Sequence, residues 1–84
     1  MQVGDYIIRP KYRNDNVHML IGVITKVELD GYLRIDVMCN YNTIAMRYTA
    51  ALITKDVAWT NTKDTKLYHP TLEELFIFKQ LKEQ

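Results

Sequence analysis

Residues 17 to 39, VHMLIGVITKVELDGYLRIDVMC, constrain this chain more than any other stretch. They form two apolar-rich runs on either side of Asp30-Gly31. In the first, Val17, Met19, Ile21, Val23 and Val27 recur with a period of two; in the second, Leu33, Ile35, Val37 and Cys39 do the same. That period belongs to strands with one buried face. Asp-Gly is among the best pairs for a type I′ turn, which needs positive φ at both central residues. Two long strands folded back on each other are expected, with those side chains inward and His18, Lys26, Glu28, Arg34 and Asp36 outward.

Further strand signals flank the hairpin. Val3-Gly4-Asp5-Tyr6-Ile7-Ile8 reads as a short strand ended by Pro10 and the polar loop Lys11 to Asn16. Asn40-Tyr41-Asn42 reads as a turn, followed by a strand from Thr43 to Tyr48 with Ile44, Met46 and Tyr48 on one face. Ala50 to Thr54 and Val57 to Thr60 read as two shorter strands, and Asn61 to Pro70 as a polar connector, with a binding loop over Asn61 to Lys66 as the alternative. Thr71-Leu72-Glu73-Glu74 then carries a capping box, with two carboxylates at the positive end of a helix dipole and Lys79 and Lys82 near the negative end. The helix is expected from about Leu72 to about Lys82. Leu72, Leu75 and Phe76 cluster on one of its faces, while Ile77, Phe78 and Leu81 point away from that cluster. A helix apolar on two sides is buried on two sides, so the second face is expected to meet either the strands or another chain.

Eighty-four residues make one domain, spanning 1–84: strands over 3–60, a connector over 61–70 and a helix over 71–83. A chain of this size buries roughly 60–65% of its unfolded surface, so its stability margin is thin. A hydrophobic content of 48% is enough for a core. Five or six short strands with turn signals every eight to twelve residues, followed by one helix, indicate a mainly β fold, a small antiparallel barrel. Gly4-Asp5-Tyr6-Ile7-Ile8, a polar loop, Ile21 to Val27, the Asp-Gly turn and Leu33-Arg34-Ile35-Asp36-Val37 together resemble the SH3-like small-barrel group, which includes KOW-type and Tudor-type modules. The resemblance covers about residues 3–54. It implies a binding module whose loops grip proteins or nucleic acid, and it carries no catalytic residues onto this chain.

Catalytic and metal chemistry find little support. The chain contains no serine, and its three glycines are isolated at positions 4, 22 and 31, so no phosphate-cradling loop exists. Paired carboxylates occur only as Glu73-Glu74, which the helix cap explains. The soft metal donors His18, Cys39 and His69 lack ligand spacing. No enzyme activity, metal or cofactor is expected. A single cysteine, a polar start at Met1 and the lack of an apolar run approaching about 18 residues point to a cytoplasmic protein that does not enter a membrane.

Two binding surfaces remain. Ile77, Phe78 and Leu81 on the helix form an apolar anchor for a protein partner. That partner is a larger host or cellular protein, as for the small accessory or inhibitor proteins of phages and mobile elements, or a second copy of the chain. The alternative is RNA or single-stranded DNA. Arg9, Lys11, Tyr12 and Arg13 mix cations with an aromatic ring in one loop, and Arg34 and Tyr41 extend that surface. A net charge of +1 weighs against a non-specific nucleic-acid binder, so the protein partner is the leading expectation. Trp59 is expected to fill core volume, with an aromatic groove for a proline-rich peptide as its functional alternative.

Overall fold

The computed structural model describes every residue except Ile53, Asn61, Thr62 and Gln84. Six antiparallel strands form one open sheet: β1 (Tyr6–Pro10), β2 (His18–Val27), β3 (Tyr32–Asn42), β4 (Arg47–Thr49), β5 (Val57–Thr60) and β6 (Lys66–Tyr68). The spatial order is β4-β3-β2-β1-β6, with β5 also paired to β3. One helix, α1 (Leu72–Lys82), follows. β4 and β5 share β3 by taking different halves of it, Asn40–Asn42 and Tyr32–Ile35.

The hairpin of β2 and β3 is the spine of the sheet, but it is built differently from the expectation. Its connection runs through Glu28–Gly31. The Glu28 N–H donates to Tyr32 O at 2.9 Å, and the Tyr32 N–H donates to the Asp30 carboxylate at 3.1 Å. Only Gly31 takes a positive φ, of 89°, so the two-residue type I′ turn does not form. A longer connection closed by one left-handed glycine replaces it.

The single inward face also gives way. Ile21 pairs with Cys39 and Gly22 with Val37, so Met38 is an extra residue in β3; Ile24 pairs with Ile35 and Lys26 with Arg34, so Thr25 is an extra residue in β2. Each bulge reverses the side to which following residues point. Leu33, Ile35 and Val37 therefore face one side and Cys39 the other. The first side, hereafter the open face, holds Ile7, Ile24, Leu33, Ile35, Val37 and Trp59, with Leu20, Ala51 and Val57 against them. The second, the helix face, holds Ile21, Met38, Cys39 and Phe78, with Tyr6, Ile8, Val23, Tyr41, Tyr48 and Tyr68 around them. Both faces of the hairpin are buried, and each needs its own cover.

Other elements shift by a few residues. Thr43 to Met46 form a turn in which Asn42 Oδ1 accepts from the N–H groups of Ile44 and Ala45. Ile44 and Met46 are exposed there, and only Arg47–Thr49 pairs with β3. The strand expected over Ala50–Thr54 includes Ile53, which lies outside the described residues, and its other members carry no ladder pairing. They cross the bulge instead: the Val37 N–H donates to Thr54 O at 2.7 Å, and Asn40 Nδ2 donates to Ala50 O at 3.1 Å. The expected connector contains β6, paired to Tyr6–Ile8 of β1, while Asn61 and Thr62 lie outside the described residues. Pro10 ends β1 without loss. The Lys11 N–H donates to His18 O, so alternation turns the Pro10 nitrogen toward the side where β6 has already ended.

Gly22 sits where the open face closes most tightly. A Cβ there would collide with Cγ2 of Ile35 and lie 3.0 Å from the Asp36 carbonyl oxygen. Ile35 is fully buried and β-branched, so it has no easy way to yield. Gly22→Ala is predicted to lower unfolding stability by about 1–3 kcal/mol, the usual cost of overpacking, measured by urea denaturation. An unchanged midpoint would contradict this packing.

Candidate functional site

The helix is the first surface to test, because the leading expectation placed a partner there. Its inward stripe is Glu74, Leu75, Phe78 and Leu81. Phe78 is 2% exposed, with its ring centroid 6.2 Å from that of Tyr6 and 6.3 Å from that of Tyr48. The assignment of Phe78 to a partner interface is therefore corrected: it is the side chain that fixes the helix to the sheet. Leu81 packs on the same cluster, and Ile77 is half-buried at its margin. The outward apolar face consists instead of Leu72 and Phe76, at 86% and 62% exposure. The two are one turn apart. The sequence pattern grouped them with Leu75, but the inward stripe centres on Phe78, and Leu72 and Phe76 fall on the opposite side of the helix.

Beneath the helix start lies a buried carboxylate. Glu74 completes the capping box: its N–H donates to Thr71 Oγ1 at 3.1 Å and its Oε1 accepts from the Thr71 N–H at 3.0 Å. Its Oε2 accepts from the hydroxyls of Tyr48, at 2.8 Å, and Tyr68. Burial acts to raise the Glu74 pKa, but the hydrogen bonds from Tyr68, the Thr71 amide and Tyr48 outweigh it and hold the carboxyl below 4.5. Burial, and then the bond to Glu74, push both tyrosines above their ordinary range. Glu74 thus ties α1, β4 and β6 together and is fully engaged. Cys39, fully buried on the same face, has its thiol raised to about 12 by burial, with Glu74 adding to the shift. A thiol so placed is not a nucleophile.

The open face differs, and here the pairing register brings charges together. Arg9 pairs with Leu20, His18 with Asn42, Asn42 with Arg47, and Asn40 with Thr49. Residues directly opposite share a face, so Arg9, His18 and Arg47 join Leu20, Asn40 and Asn42 on it. Lys11, His18, Asn40, Tyr41, Asn42 and Arg47 line one hollow. A larger groove of about 450 Å³ runs alongside, lined by Arg9 to Asn14 and by Lys63 and Asp64. A third hollow of about 290 Å³, mostly apolar, is lined by Leu20, Val37, Ala51, Leu52, Val57 and Trp59, with Lys11 and Asn40 at its rim. Lys11 borders all three.

Five cations, Arg9, Lys11, Arg13, Arg47 and Lys63, gather at this end of the open face, and among the described residues none of them forms an ion pair. Lys26 and Arg34 are paired, both to Glu28 at the far end of the hairpin, at 3.7 and 3.3 Å. Asp15 sits by the loop but is engaged. It accepts from His18 Nδ1 at 2.8 Å and from the Val17 and His18 N–H groups, and these bonds hold its carboxyl below its ordinary range. Tyr12 is 54% exposed, with Lys11 Nζ 5.5 Å from its ring centre and His18 edge-on at 5.8 Å. The Arg9 guanidinium lies 5.2 Å from the Trp59 ring centre.

The six residues expected to bind nucleic acid therefore divide. Arg9, Lys11, Tyr12 and Arg13 share one groove. Arg34 faces the helix side, bound to Glu28, and Tyr41 stacks on Tyr48 at 4.7 Å while also lining the hollow beside Lys11. Asn40, Arg47 and Ala51 were missed, since only strand register and loop approach bring them to Lys11, and Lys63 comes from the segment read as a connector or a binding loop. Trp59, 6% exposed, fills the core as expected and floors the apolar hollow. Among the described residues no three His, Cys, Asp or Glu side chains converge as a metal-binding set, and no helix is long and apolar enough to cross a membrane. Comparison with protein-family models, curated proteins and solved structures finds no match.

Glu74→Gln is predicted to cost about 2 kcal/mol near neutral pH, as expected for hydrogen bonds to a charged acceptor. Because the folded-state pKa is depressed, the carboxylate's contribution is present above 4.5 and is lost as pH falls through the lower folded value. The variant's stability should therefore approach that of the parent in acid, measured by thermal melts across pH. A constant difference down to acid pH would contradict the assignment.

Proposed function

We propose that this chain is a non-catalytic module that binds single-stranded nucleic acid on the open face of a small SH3-like barrel. The barrel reading draws support from the curl of the sheet: Arg9 of β1 reaches over Trp59 of β5 although those strands are not paired. The observation that carries the functional reading is the group of five unpaired cations, Arg9, Lys11, Arg13, Arg47 and Lys63, in a chain whose net charge is only +1. Unpaired cations in mutual proximity repel one another, and a phosphate backbone relieves that repulsion while releasing its own counterions. Single strands also require aromatic faces for stacking, and Tyr12 supplies an exposed one within the same groove. The charge is unevenly distributed: Glu28 and Asp30 lie at the opposite end of the hairpin with Lys26 and Arg34, and Asp64 is the one carboxylate among the residues that line the groove of Arg9, Lys11, Arg13 and Lys63.

A second reading, a protein-binding accessory or inhibitor, is favoured by one observation, the exposed pair Leu72 and Phe76 on the outward side of α1. The partner surface then centres on that pair with Ile77 at its edge. Changing both to serine would abolish a complex, or a dimer seen by solution mass, without loss of fold; unchanged association would remove this reading.

For the first reading, affinity for a labelled single-stranded oligonucleotide should fall steeply with salt. Five phosphate contacts give a slope near −3.5, or about 100-fold between roughly 50 and 200 mM salt. Lys11→Ala with Arg13→Ala should weaken binding and reduce that loss to about 20-fold, measured by fluorescence anisotropy. Absence of binding, or affinity independent of salt, would overturn the proposal.

A further inference from the structure

The apolar hollow on the open face is not explained by phosphate binding. Leu20, Val37, Ala51, Val57 and Trp59 line an open hollow of about 290 Å³, close to the lower limit for small-ligand sites. Its rim is polar at two points, both facing the cationic surface. Lys11 belongs to the hollow and to both cationic grooves. Asn40 donates through Nδ2 to Ala50 O at 3.1 Å, which orients the amide and leaves Oδ1 as an acceptor at the rim. The Arg9 guanidinium over Trp59 closes one side and adds a flat cation. An apolar slot with one acceptor, adjoining a row of unpaired cations, matches a nucleotide in layout: a planar base joined to an anionic backbone.

Resting on the nucleic-acid reading above, we propose that this hollow receives one unstacked base of the bound strand. The backbone lies along Arg9, Lys11, Arg13 and Lys63, and the base turns inward past Lys11 against Trp59 and Ala51. Asn40 Oδ1 accepts from an N–H on the base edge. Tyr12, outside the hollow, stacks on a neighbouring base. The continuity of the slot with the cationic groove favours this occupant over an apolar peptide side chain, which would leave the cations unmatched.

Trp59 is the only tryptophan, so its emission reports on this hollow. The test compares a short single-stranded DNA with an abasic strand of the same length and phosphate count, using anisotropy for affinity and Trp59 emission for occupancy. The normal strand should quench Trp59 and bind more tightly than the abasic one, by about 5- to 150-fold for each of the two bases, in the hollow and on Tyr12, that the abasic strand lacks. Ala51→Leu, which fills the hollow and leaves every cation and Tyr12 in place, should abolish the quenching and weaken binding of the normal strand by the one-base share, about 5- to 150-fold. Equal quenching by both strands, or salt-dependent binding that neither the abasic strand nor Ala51→Leu changes, overturns the base slot and leaves the cationic surface standing. Failure of both strands to bind overturns the functional reading itself. Circular dichroism checks that Ala51→Leu folds; if it does not, the abasic comparison decides alone.

Discussion

Everything in this fold depends on a hairpin that is apolar on both faces. The extra residue Met38 reverses β3 between Val37 and Cys39, so the strand contributes its first half to one core and its second half to another. Neither face is stable in water alone, and the remaining elements divide the task of covering them. On one side β5 pairs with β3 and brings Trp59 into one cluster with Ile7, Leu33 and Ile35. On the other, α1 lays Phe78, Leu75 and Leu81 over Ile21 and Cys39. At about 25 cal/mol per Å² of apolar surface, burial on both sides is how so short a chain acquires a sufficient core.

The helix face is closed by chemistry as well as packing. The Glu74 carboxylate caps its own helix and accepts from tyrosines of two strands, so a polar network joins three elements that share little backbone hydrogen bonding. Fully satisfied networks of this kind favour one arrangement over its competitors, since any shift leaves a buried charge unpaired. The open face has no such closure. Its end near Lys11 carries cations that form no ion pair among the described residues, beside a mostly apolar hollow.

Much of this architecture was legible in the residues. The capping box placed α1 because its signals are local and mutually consistent, and Val57 to Thr60 proved to be a strand as read. The hairpin was legible as two strands but not as a two-sided object. Period-two reasoning assumes an unbroken ladder, and a bulge is a property of the pair of strands rather than of either sequence. The helix face was misread for a related reason: with Leu72, Leu75, Phe76, Ile77, Phe78 and Leu81 all apolar, periodicity cannot choose the inward stripe, and the choice fell to where Tyr6 and Tyr48 receive the Phe78 ring. At the candidate site, Arg9, Lys11, Tyr12 and Arg13 were visible because they are consecutive or nearly so. Arg47 and Ala51 were not, because only strand register and loop approach bring them to Lys11, and Lys63 was visible only as part of a segment that composition left open between connector and binding loop.

On the proposed function, the bulged hairpin leaves one face, at its cationic end, as the ligand surface. Backbone amide shifts in ¹⁵N-labelled protein, followed as a single-stranded oligonucleotide is added, test it most directly. The account predicts changes at Arg9, Lys11, Tyr12, Arg13, Asn40, Arg47, Ala51 and Lys63, with Leu72, Phe76 and the Asp30 turn unmoved. Changes confined to α1, or an unaltered spectrum at saturating oligonucleotide, would contradict it.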